Sequence, residues 1–153
     1  MEKTPNNGET NFDILINEKI GYNDYIKIDS KDLEEVHHYS RTFITNRNYK
    51  MCSVRLSIPL TGNSGNVGAR SRILLYLDDE VICDGSIHNG VSWELRPINL
   101  IGEIFDLKAG EHKIKLLCCV NDGILYIPCY NRKCIEHTLS PKLTGKLIVL
   151  GFK

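Results

Sequence analysis

The strictest constraint in the sequence lies at residues 51–58, Met-Cys-Ser-Val-Arg-Leu-Ser-Ile. Cys52, Val54, Leu56 and Ile58 alternate with Met51, Ser53, Arg55 and Ser57. Successive side chains of a strand point to opposite faces, so this alternation builds a strand with one apolar face that must be covered. A helix would scatter the same four side chains around its circumference.

The same logic recurs along the chain. Residues 71–77, 81–84, 91–100, 101–107, 112–120, 124–130 and 144–152 read as strands, and residues 11–17 and 24–29 as shorter ones. In residues 112–120, Ile114, Leu116, Cys118 and Val120 share one face, while Lys113, Lys115, Leu117 and Cys119 take the other. Pro59 is expected to end ladder pairing. Asp78-Asp79, Lys108-Ala109-Gly110-Glu111 and Asn121-Asp122-Gly123 read as turns, and Asn89-Gly90 as a two-residue hairpin. Residues 31–39 read as a short helix, with Ser30 as its cap and Leu33 and Val36 on one face.

Strands spaced about 10–12 residues apart with turn residues between them make an all-β antiparallel sandwich, of the jelly-roll kind, with one short helix. Residues 1–10 are polar and read as a disordered lead-in, and 11–153 as a single domain.

Charge excludes some functions. The 153 residues hold 19 basic and 19 acidic side chains. That balance speaks against a nucleic-acid binder or a polybasic membrane module. It conceals an asymmetry: residues 2–35 carry nine acids and four bases, and residues 108–153 carry eight bases and three acids. Either two solvated faces offset each other, or acidic N-terminal and basic C-terminal surfaces meet between subunits. The longest apolar runs, 73–77 and 116–120, are five residues, where a membrane helix needs about 20. The N-terminus has no secretory h-region, so an intracellular location is expected, or an extracellular one if a leader has been removed.

Two stretches carry a family resemblance. Residues 73–82, Ile-Leu-Leu-Tyr-Leu-Asp-Asp-Glu-Val-Ile, are followed by Trp93 and then by residues 105–116, Phe-Asp-Leu-Lys-Ala-Gly-Glu-His-Lys-Ile-Lys-Leu. This order resembles β-sandwich accessory modules, both jelly-roll carbohydrate-binding modules and C1q/TNF-like jelly rolls. Residues 143–150, Leu-Thr-Gly-Lys-Leu-Ile-Val-Leu, are similar to the closing strand of the latter, with Leu143 where an aromatic residue is frequent. The resemblance implies a ligand-binding or oligomer-forming module and brings no catalytic residue.

The candidate site residues follow from side-chain chemistry. Trp93, Tyr76, Tyr126 and Tyr130 offer aromatic faces for sugar rings, or else fill the core. The loop around Asn63 and Asn66, with Gly62, Gly65 and Gly68 ahead of Arg70 and Arg72, is either a strand connector or a set of N–H donors for an anion. Asp78, Asp79, Glu80 and Asp84 are the oxygen-rich turn at which calcium is conceivable. Cys129, Cys134 and His137 have the spacing nearest to a zinc site, which His112 or Cys119 would have to complete. The alternatives are separate reduced thiols, or disulfides such as Cys129–Cys134 or Cys83–Cys118. Cys119 is the best-placed nucleophile, outward among lysine positions, but His112 falls on the opposite strand parity. His37 and His38, on the expected helix, point about 100° apart. With no His-Glu-x-x-His, Gly-x-Ser-x-Gly or phosphate-loop pattern, the expectation is a non-enzymatic interaction module that binds a protein partner or itself. A carbohydrate-binding module and a cysteine/histidine metal protein are the alternatives.

Overall fold

A computed structural model describes residues 11–21, 26–128 and 144–153. The described residues form twelve strands: β1 (Phe12–Ile20), β2 (Ile26–Ile28), β3 (Glu34–Glu35), β4 (Arg41–Thr45), β5 (Tyr49–Asn63), β6 (Arg70–Leu77), β7 (Glu80–Asp84), β8 (Ile87–His88), β9 (Glu94–Leu107), β10 (Gly110–Val120), β11 (Leu125–Ile127) and β12 (Gly145–Phe152). A single 3-10 turn, His37–Tyr39, is the helical element among them. No helix of the described residues is long and apolar enough to cross a membrane.

The strands make two antiparallel sheets. The first runs β1-β12-β5-β9, with β11 and β2 continuing the β12 side at the far end of β5. The second runs β4-β10-β6-β7, with β3 beyond β4 along β10 and β8 beyond β7 along β6. Cys52, Val54, Leu56 and Ile58 all face the interior and are buried, as their alternation requires. They meet Ile73, Leu75 and Leu77 of β6 and Ile114, Leu116 and Cys118 of β10 in one core. Gly102 of β9 lies under Ile82 of β7, where an added side chain would collide with both the side chain and the backbone of Ile82.

The expected α-helix at 31–39 does not form. A nine-residue helix with two apolar contacts is marginal in water, and the free edge of β10 offers a better use for the same residues. Glu34 and Glu35 pair with Cys118 and Leu117, and Val36 N–H bonds the Leu116 carbonyl at 2.7 Å. Ser30 accepts the Asp32 N–H, closing a tight turn instead of capping a helix. Pro59 does not end β5. The strand absorbs it in an irregularity between Ile58 and Thr61 and pairs on with β9 to Asn63, as a bulge allows. Asn89-Gly90 is no hairpin turn: Asn89 is buried, and the chain takes three further residues before β9.

The acidic and basic thirds of the chain are neighbours in one sheet, because β1 pairs with β12 along its length. Lys153 Nζ lies 3.4 Å from Asp13, and Glu18 of the acidic strand is bound by Arg41 at 2.6 Å. Part of the charge asymmetry is therefore neutralised within one chain.

Candidate functional site

The outward face of the first sheet is where the structure departs most from an ordinary solvated surface. The register sets Phe12, Phe152, Met51 and Phe105 side by side across β1, β12, β5 and β9. The Phe12 and Phe152 rings are 5.8 Å apart. The next rows hold Ile14, Leu150, Ser53 and Glu103, then Asn17, Ile148, Arg55 and Ile101. Phe105 is 66 % exposed, Ile14 62 % and Ile101 52 %. Between β5 and β12 a shallow depression is lined by Ser53, Arg55, Ile148 and Leu150. At about 4.8 Å between strands and 3.4 Å per residue, these rows cover about 300–400 Å² in projection with their polar positions included, the size of the largest patch on an ordinary monomer, which is often functional. Arg55 and Glu103 stand in adjacent rows on the neighbouring strands β5 and β9, and neither forms an ion pair among the described residues.

None of these apolar positions is among the expected site residues. The signal lies in residues 147–150, Leu-Ile-Val-Leu, which are apolar on both parities. Such a strand wants cover on both faces, whereas an alternating strand wants it on one.

The expected aromatic platform is only partly assembled. Trp93 and Tyr126 stack with centroids 5.6 Å apart and planes 13° from parallel, supported by Leu95 and Ile124. Each ring thus covers a face of the other. Tyr76 lies on the outer side of the other sheet, under the Lys115 ammonium at 5.7 Å. Tyr130 lies outside the described residues.

Asn63 is scaffold. Its side chain is fully buried, and its Nδ2 donates to Ser71 Oγ (2.9 Å) and the Asp122 carbonyl (3.0 Å) while Oδ1 accepts the Gly65 N–H (2.7 Å). Asn89 locks the same loop by donating to the carbonyls of Asn63 and Gly65. The loop's N–H groups are also used internally: Ser64 bonds Ile124, Gly68 bonds Asn89 and Ala69 bonds Asn66. The loop is therefore a connector and does not present a nest of free donors. Asn66 stays exposed at its tip.

Arg70 and Arg72, two residues apart on β6, share the outer face of the second sheet with Cys119, which pairs with Arg72. Together with Lys31, Val120 and Asn121 they line an open concavity of about 430 Å³. Cys119 is 8 % exposed, so it is more buried than its outward parity implied. His112 is not near it: the ring packs on Phe43, with Nδ1 2.8 Å from Asp78 Oδ2 and Nε2 2.6 Å from the Lys108 carbonyl.

Cys52, Cys83, Cys118 and Cys119 are free thiols. The Cys83–Cys118 disulfide is excluded because β6 runs between the two strands that carry them. Burial pushes the Cys52 thiol up to about 11 and Cys118 higher still, so both are inert hydrophobes. Cys129, Cys134 and His137 lie outside the described residues. His37 meets Glu35, and His38 the Gly21 carbonyl, so the pair does not converge. In the acidic turn, Asp78 is engaged by His112 and the Lys113 N–H, and Asp84 by the Ser86 N–H and hydroxyl. Among the described residues no three His, Cys, Asp or Glu side chains are grouped to hold a metal ion.

No protein-family model and no curated protein matches this sequence. Among solved structures, the chain is similar to the C-terminal domain of EclA, a sugar-binding protein, at 10% identity and a TM-score of 0.38, over 86% of this chain and 79% of that one. It is also similar to the infectious bursal disease virus Gx strain structure, at 9% identity and a TM-score of 0.44, and to that virus's VP2 subviral particle, at 10% and 0.39. It covers 92% of its own length in both matches and spans 37% and 36% of those two chains.

Proposed function

We propose that the chain is a non-enzymatic interaction module whose working surface is the outer face of the first sheet, and that two copies pair through it. The observation that carries this reading is the apolar row Phe12, Phe152, Met51 and Phe105, continuous across four strands, with Phe105 66 % exposed at its β9 end. A second copy is favoured over an unlike partner by charge. A two-fold axis lying in the plane of the contact, bisecting the line from Arg55 to Glu103 at right angles, sets each against its opposite on the other copy, the self-complementarity an isologous contact demands. The strand orders β1-β12-β5-β9 and β4-β10-β6-β7 support a jelly roll, an architecture that leaves broad sheet faces for contact.

Carbohydrate recognition by Trp93 and Tyr126 has less support, since the two rings are stacked on each other. Light scattering on Phe105→Lys against the parent chain tests the pairing. The parent should run at twice the mass of the variant. Equal masses for both would remove the reading.

A further inference from the structure

We infer that the concavity lined by Lys31, Arg70, Arg72, Cys119, Val120 and Asn121, on the opposite sheet from the pairing face, is a binding site for a tetrahedral oxyanion, a phosphate or sulfate carried as the ester of a small molecule.

The site is built by pairing that fixes the backbone segments carrying the cations. Arg70 and Arg72 are two apart on one strand, so both project outward while Ser71 between them is buried. The Arg70 N–H bonds Asn121 Oδ1 (2.7 Å) and its carbonyl accepts the Asn121 N–H (3.1 Å), which ties the strand to the end of β10. Cys119 stands directly across from Arg72. Lys31 comes from a different segment, and the Val120 N–H bond to the Ser30 carbonyl (2.9 Å) holds that segment against the same wall.

Three cations thus face one hollow. Among the described residues none of the three has an ion-pair partner. No carboxylate is among the described lining residues. Asp84, on the strand next to Arg72, is hydrogen-bonded by Ser86 and feels the Arg72 charge without a direct ion pair, and His88 lies opposite Arg70 on the far side from β10. Three like charges with a single nearby carboxylate that makes no direct ion pair to them cost free energy that an anion recovers, and two guanidinium forks suit a tetrahedral oxyanion. The volume of about 430 Å³ exceeds what a bare ion fills and lies in the range of small-molecule sites. Val120 and the Cys119 thiol supply an apolar wall for the ester's organic part.

The test is a titration of the full chain, followed by amide chemical shifts, with sodium phosphate, sodium sulfate and sodium chloride at matched ionic strength. Saturable shifts at Arg70, Arg72, Cys119, Val120 and Asn121 with phosphate or sulfate but not chloride are expected, and the stronger of the two names the ester class. The double variant Arg70→Gln/Arg72→Gln should weaken binding at least tenfold. Lys50→Gln/Lys108→Gln, in the other basic hollow, should leave it unchanged. Arg72→Lys keeps the charge and removes the fork, so it should weaken binding while the melting temperature holds. Shifts that grow linearly with salt, that chloride reproduces, or that both double variants lose equally would overturn the site. Pairing through the first sheet is read separately by mass, so either proposal can fail alone.

Discussion

Replacing Asn63 by alanine should cost the domain about 3–5 kcal/mol. The side chain makes three hydrogen bonds in a fully buried position, to Ser71 Oγ, the Asp122 carbonyl and the Gly65 N–H. Each bond is worth about 1 kcal/mol net, and a buried partner left unpaired adds about 1–3 kcal/mol. Ser71 has no access to solvent, so its hydroxyl cannot be rescued by water without repacking. For a domain of this size about 2–4 °C is lost per kcal/mol, so the melting temperature should fall by about 10 °C. Urea unfolding at fixed protein concentration is the assay. The midpoint should drop by about 2 M with an unchanged slope, for a slope of about 2 kcal/mol/M. Asn66→Ala, at the exposed tip of the same loop, should change stability by less than about 0.5 kcal/mol. If Asn63→Ala cost no more than Asn66→Ala, Asn63 would not be scaffold, and its role would return to ligand contact.

Gly123→Ala should be as damaging as a core truncation. Gly123 has φ +73°, and an added Cβ would stand 2.5 Å from the Gly65 nitrogen; calorimetry that finds it neutral would mean the two loops are not in contact. Stability should fall as pH drops below about 4.5. The Glu35 carboxyl is held below its usual range by the Ser40 hydroxyl, with Lys113 and His37 adding to this, and Asp13 is lowered chiefly by the Tyr49 hydroxyl. A carboxylate whose folded pKa is depressed contributes stability above its unfolded pKa and loses it as pH falls through the folded one, so Glu35→Gln should flatten the acid limb of a thermal-melt series; an unchanged limb would contradict the pairing. In native protein at pH 8, iodoacetamide should label Cys83 well before Cys52 or Cys118, as mass mapping would show; early labelling of Cys52 would mean that the sheets open readily.

Much of the fold was legible because period two is a strong local signal. The alternation at 52–58 and 114–120 predicted the faces that meet in the core. The failures share a cause. Residues 31–39 carry good helix chemistry, yet the edge of β10, far along the chain, offers backbone partners that no local pattern reveals. Asn89-Gly90 has the dipeptide of a tight hairpin, but Asn89 is used to hold a distant loop. The apolar row on the first sheet escapes sequence reading for the same reason. Phe12, Met51, Phe105 and Phe152 are scattered over the chain and become one row only through strand register. Arg70 stands beside the Gly-rich loop in the sequence, but its partners in the basic hollow come from β10 and from Lys31.

The pairing claim meets its most direct test in a charge swap. Arg55→Glu alone sets two acidic pairs against each other across the two-fold axis, and Glu103→Arg alone sets two basic pairs. Each variant should therefore sediment nearer the 17.4 kDa of one chain than the parent does. Mixed in equal amounts, the two variants bring the paired acids of the first against the paired bases of the second, so the mixture should recover twice that mass. Variants that each stay paired alone, or a mixture that stays single, would contradict pairing through this face.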